Sequence, residues 1–235
     1  MDLIHTPSHP KANSYCSLAF ANEFMFSHND YYEWNNISNT NKERLLIKAT
    51  ASIQRLNLIG NSFFSEPRNY RDKQHLHFPL MFDRIYTGFA DTVSELSLIS
   101  INFKDQPHIP SDLLNEGGIV FTEGTGRGQT ALITDFDSAT GTISFEELDT
   151  PIAKGSQFII FLPVNDDIRE ATVLQAMHLY QNPVTSVSSD FSRKRIDDVE
   201  VYVGGSITSI EKRNNISSAA FSLLSRYIDR TLSFR

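Results

Sequence analysis

The hydrophobic pattern of this chain changes its period twice. From about Thr40, Leu46, Ala49, Ile53 and Leu56 recur at helical spacing, i, i+3, i+7 and i+10. Past residue 83 that spacing stops. Short apolar runs then alternate with glycine and aspartate turns. Gly117-Gly118 leads into Ile119-Val120-Phe121, Asp137-Ser138-Ala139-Thr140-Gly141 separates Thr130–Phe136 from Thr142–Phe145, and Gln157–Leu162 closes the series. Runs of that length between such turns read as strands. At Pro163 helical spacing returns, with Val173, Ala176, Met177 and Tyr180 on one face. This order predicts an α+β fold. A helical, four-helix-type domain covers 1–82 and 164–235, and a small antiparallel β-domain, barrel- or sandwich-like, is inserted at 83–163.

Local signals set the expected element ends. Leu18, Ala21 and Met25 share a face of a first helix, and Asn13 or Ser14 is its expected N-cap. Gly60-Asn61 stops the second helix. Asn165 or Asp166 caps the third, and Asn182-Pro183 ends it. Ser217 caps a last helix with Ala220, Leu223, Leu224 and Tyr227 inside. Residues 1–12, with Pro7 and Pro10, read as an extended arm. Residues 83–110 fit helix or strand equally. Residues 183–197 are polar and expected to be mobile, and Val199 to Val203 alternate as a strand.

Composition narrows the function. The chain has 235 residues, 40% of them hydrophobic, enough for a real core. No apolar run approaches the ~20 residues of a membrane span. The start, Met-Asp-Leu-Ile-His-Thr-Pro, has no secretory-signal pattern. Cys16 is the only cysteine, which excludes an intrachain disulfide and a cysteine-based zinc site and fits a reducing cytoplasm. The net charge is −7, unevenly spread. Residues 83–164 hold 12 acidic and 4 basic side chains, a net of −8, which leaves +1 for the rest. That balance argues against a general nucleic-acid binder.

No motif assembles an enzyme site. Gly124-Thr125-Gly126-Arg127-Gly128-Gln129 lacks the Lys-Ser/Thr and the helix that a phosphate-cradling loop needs. Glycines serving a tight strand connection are the better reading. His75 and His77 could converge on a metal, but neither has a carboxylate partner at ligand spacing. Asp135, Asp137 and Asp149 lack calcium-loop spacing and fit turns. Cys16 reads as core, and nothing resembles a nucleophile elbow. The chain is expected to be no enzyme, with no cofactor and no metal. Arg193-Lys194-Arg195 and the C-terminal Arg226, Arg230 and Arg235 suit either a solvated face or contact with phosphates or an acidic subunit.

Several segments, in order, carry a family resemblance. Asn13-Ser14-Tyr15-x-Ser17-Leu18-x-x-Ala21 resembles the opening of tailed-phage head–tail connector (adaptor) proteins, a part also described as a primosomal (DnaT-like) single-strand-binding domain. Lys42 to Ile53 matches a K-x-x-L-L-x-x-A-T-x-x-I helix, and Phe78-Pro79 matches a following W/F-P pair. Ile168 through Ala171 and Ala176 to Leu179, then Ser192 to Tyr202, then Ile216 through Leu223-Leu224 to Tyr227, match the later segments. The acidic β-unit is a departure, because compact members lack it.

The resemblance implies a virion neck protein, assembled in the host cytoplasm. It would form a ring, usually a dodecamer, between portal and tail around the DNA channel. Its partners would be itself, the portal protein, tail or neck proteins, and duplex DNA passing without sequence specificity; no membrane is involved. The segment from about 216 to 235 would be a portal-docking arm using Leu223, Leu224, Arg226, Tyr227, Arg230, Phe234 and Arg235. Tyr31, Tyr32 and Trp34 would lie at a subunit interface. The alternative is a single-stranded nucleic-acid-binding protein, with those same aromatics stacking bases.

Overall fold

The computed structural model describes residues 2–63, 74–80, 83–182 and 215–229, together with the backbone of 194–196 and 199–201. The fold is α+β. Helices α1 (Leu18–Phe26), α2 (Tyr31–Asn35) and α3 (Asn39–Ile53) precede strands β1 (Ile85–Phe89), β2 (Thr92–Val93), β3 (Ser97–Ile99), β4 (Gly118–Glu123), β5 (Thr130–Asp137), β6 (Thr142–Phe145) and β7 (Gln157–Phe161). Helix α4 (Asp166–Gln181), the short pair β8 (Lys194–Ile196) and β9 (Val199–Val201), and α5 (Ser218–Leu224) follow.

Helix α4 organises the helical part. Ile168, Ala171, Val173, Ala176 and Met177 are buried along it, and α1, α3 and α5 all pack against it. One apolar cluster joins Ala12, Tyr15, Ile53, Leu56, Phe78, Ile168, Ala220, Leu224 and Ile228. A second joins Cys16, Met25, Trp34, Leu46, Val173 and Met177. The caps follow sequence logic at both later helices. Asn165 accepts from the Asp167 amide, and Ser217 accepts from the Ala220 amide. At α1 the cap is Ser17, which accepts from the Phe20 amide, so the helix starts later than Asn13 or Ser14 would allow.

Asn13 does a different task. Its Oδ1 accepts from the Ile4 amide at 2.9 Å and its Nδ2 donates to the Asp2 carbonyl at 2.8 Å. The N-terminal residues are therefore folded back rather than a free arm, and Thr6 and Ser8 are buried.

The seven strands form one antiparallel sheet in the order β1-β7-β4-β5-β6-β3-β2. Its two edge strands are consecutive in the chain. At the bend between them, the Ala90 amide donates to Ser156 beside β7 and the Asp91 amide donates to Ile99 on β3. One kinked strand thus serves both edges and closes the sheet on itself. Residues 83–110 hold three short strands, β1 to β3, and a 3-10 turn at Ile101–Phe103, with no α-helix. Alternation fills the interior. Ile119, Phe121, Ile133, Phe136, Ile143, Phe145, Phe158 and Ile160 share one core. Val120, Ile159 and Phe161 face the other way, against Phe63.

Gly118 is required where the N-terminal segment crosses β4. A Cβ there would press against the Pro7 carbonyl oxygen, and neighbouring Gly117 would meet the Phe161 and Leu114 carbonyls. Gly118→Ala should therefore displace the segment and cost about 1–3 kcal/mol, the usual penalty of overpacking. Urea denaturation checks this, and an unchanged midpoint would contradict the close approach.

Candidate functional site

The junction between helices and sheet is polar. Arg169 lies on the buried side of α4 and is nearly inaccessible. It pairs with Glu116, just before β4, and with Asp166 at 3.1 Å. Its guanidinium stacks on the Phe20 ring at 3.8 Å. Ser17 also donates to Glu116, at 3.4 Å. His5 joins the group. Burial pushes its pKa down, Glu116 acts against that, and Arg169 acts with it. Sequence reading did not single out Arg169. The signal was present, because a charge on the apolar stripe of a helix requires a buried partner. The cluster ties α4 and the start of α1 to the turn before β4.

The expected interface aromatics separate. Trp34 is 1% exposed, and its indole nitrogen donates to Asn22 Oδ1 at 2.9 Å. Buried and satisfied within its own chain, it cannot contact another subunit, which corrects that expectation. Lys42 donates to the same oxygen at 3.2 Å and lies over the Trp34 ring, 5.3 Å from its centre. Burial lowers the Lys42 pKa. Tyr32, by contrast, is 81% exposed, and Tyr31 touches both Tyr32 and the exposed Phe26 edge-on.

The expected docking arm also divides. Leu224 is fully buried, and Leu223 and Tyr227 pack on the same cluster. Tyr227 meets Phe78 edge-on at 5.6 Å. The backbone is tied down too. The Ile59 amide donates to Tyr227 at 2.7 Å, and the Asp229 amide donates to Asn57 at 2.8 Å. Arg226 pairs with Asp167 and donates to Asn165 at 3.2 Å. Residues 216–229 are therefore part of the core, not an arm lying free of it. Arg230, Phe234 and Arg235 lie outside the described residues, as do residues 183–193 and the side chains of Lys194 and Arg195.

The remaining candidates resolve into structure. The glycine-rich segment connects β4 to β5, with Gly124, Gly126 and Gly128 at φ between 82° and 89°. Gln129 closes it through two bonds with the Thr150 backbone, at 2.7 and 2.9 Å. Asp137 accepts from the Thr140 hydroxyl at 2.6 Å and from the Ala139 amide at 3.0 Å, an ordinary turn. The Thr140 hydroxyl is the main cause holding the Asp137 pKa below its usual value. Cys16 is buried, and its thiol is pushed up to about 12, chiefly by that burial. His77 meets the Ile59 carbonyl at 3.2 Å, and His75 is exposed. Among the described residues, no group of three or more His, Cys, Asp or Glu converges as metal ligands. No described helix is long and apolar enough to cross a membrane.

No protein-family model matches the chain, and no curated protein matches it. It is similar to one chain of a solved structure, "Virion of native gene transfer agent (GTA) particle". The identity is 15%, and the match covers 56% of this chain and 47% of that one, about half of its length, with a TM-score of 0.34. A likeness at that score assigns no role.

Two sets of substitutions test these contacts. Glu116→Ala should cost about 1–3 kcal/mol by leaving Arg169 without its cross-junction partner. Arg169→Met should cost less, since it keeps the packing on Phe20 and removes the buried charge. Trp34→Ala should cost about 3–5 kcal/mol, whereas Lys42→Met should leave stability equal or higher. Chemical denaturation of the four variants ranks them. A Trp34→Ala protein as stable as the parent would show that the indole is not core.

Proposed function

We propose that the chain is a structural, non-catalytic protein of a tailed-phage particle, a head–tail connector that forms a ring between portal and tail around the DNA channel. One observation carries this reading. The segments that resemble the connector family lie far apart in sequence, yet they build one continuous core. Tyr15 of the opening motif donates its amide to Thr50 of the K-x-x-L-L motif at 3.3 Å and packs on Phe78 of the F-P pair at 5.6 Å. Phe78 packs in turn on Tyr227 of the closing motif. Ile168 and Ala171 of the α4 motif sit in the same cluster. Five separate matches thus answer one packing problem, as a shared fold would require. The matched residues are fold-determining, so they support membership more than they mark a binding surface.

In this reading the ring is twelve-fold. It assembles in the host cytoplasm and sits at the virion neck, with the portal and tail or neck proteins as partners. DNA passes through without sequence-specific contact. Docking to the portal falls to residues after Asp229, because 216–229 are needed for the fold. The test is negative-stain imaging and mass measurement of the protein with purified portal. A portal-bound ring is expected. Deleting 230–235 should leave the helical content by circular dichroism unchanged and abolish docking, whereas deleting 216–235 should unfold the helical part. A protein that stays monomeric on portal would overturn the proposal.

A further inference from the structure

Two faces of the chain carry opposite charge, and neither has an ion-pair partner among the described residues. The first is the outer side of α3. Arg44 and Lys48 are exposed there four residues apart, opposite the buried Leu46, Ala49 and Ile53, and the exposed Arg55 follows in the turn just past the helix end. On the helix the two basic side chains stand roughly 6 Å apart along the axis. The second is the outer side of the β5–β6 hairpin. Asp135 is exposed opposite the inward Ile133 and Phe136, Glu146 follows the inward Phe145, and Glu147 is exposed beside it. None of these six side chains takes part in an ion pair among the described residues.

Each face is unfavourable by itself. Like charges at i, i+4 destabilise a helix, as Arg44 and Lys48 do here. Glu146 and Glu147 are adjacent like charges just past the end of β6, and like charges so placed repel as well. Apposed, the two faces relieve each other. The chain's own fold holds them on separate parts, so the apposition requires two molecules.

We infer that the basic stripe of α3 docks on the acidic β5–β6 face of a second copy of this chain. The two faces differ, so the contact is head-to-tail and repeats from copy to copy until it closes as a ring. The inference rests on the connector reading and assigns the acidic β-unit a role within it. A second copy fits the stripe better than DNA does. The chain as a whole carries a charge of −7, which repels a polyanion, while the same chain supplies a matching acidic face.

The test mixes isotopically light and heavy full-length protein and treats it with a zero-length carboxyl–amine cross-linker. Light–heavy links from Lys48 to Asp135, Glu146 or Glu147 are expected. Their yield should fall about tenfold between roughly 0.05 and 0.5 M salt. Two variants then separate the faces. In one, Arg44, Lys48 and Arg55 become glutamate; in the other, Asp135, Glu146 and Glu147 become lysine. Each should stay monomeric by sedimentation. Their equimolar mixture should associate, because each reversed face then meets its complement. All six substitutions are of exposed side chains, and circular dichroism checks that both variants fold.

Association of the α3 variant by itself, as strong as that of the parent, would overturn the inference. So would the absence of light–heavy links in the parent. So would salt-sensitive binding of duplex DNA, lost in the α3 variant, when no light–heavy link forms. A parent that rings on portal yet gives no such links would sink this interface and leave the connector reading standing. A parent that forms the links but never binds portal would do the reverse.

Discussion

Helix α4 is the element on which the rest of the structure depends. It presents apolar side chains to α1, α3 and α5, which come from both ends of the chain. Burying a side chain such as Val173 or Ile168 contributes about 1.5–3 kcal/mol. No local segment can supply such burial by itself. The helical part therefore forms only when residues before the β-unit and residues after it meet on α4. The β-unit leads directly into α4 at Phe161, and Arg169 fastens the two through Glu116. Sheet and helices are thus connected by chain and by charge at one place.

That dependence explains which motifs are structural. Asn13 staples the N-terminal residues, Tyr15 and Phe78 meet edge-on in the core, and Lys42 covers Trp34. The unusual residues are spent on holding distant segments together. What remains for recognition is the exposed surface: the Phe26 and Tyr32 aromatics with the half-buried Tyr31 beside them, the basic outer side of α3, and the acidic residues of β5 and just past β6. Such a division suits a protein whose task is assembly, where the fold supplies a rigid block and the faces supply the contacts.

Much of this was legible in the sequence. Hydrophobic period alone separated the helical stretches from the stranded one. The caps Asn165 and Ser217 and the glycine-rich turn before β5 followed from local chemistry. These features depend on neighbours a few residues away, and spacing records such neighbours directly. Helix α2 was missed because five residues are too short to show a period. Residues 83–110 stayed open because their strands are two to five residues long and interrupted by turns.

The sequence by itself determined the α+β class, the change from helical to stranded stretches and back, and the uneven charge, because each is a property of composition or of short-range spacing. Only the tertiary structure decided that the sheet closes at Ala90-Asp91, that Arg169 reaches Glu116, and that Trp34 and Leu224 lie inside rather than on an interface. Those outcomes depend on which distant segments share a core. An aromatic or leucine looks the same in sequence whether it fills its own fold or waits for a partner. The competition between those two fates is settled by long-range packing.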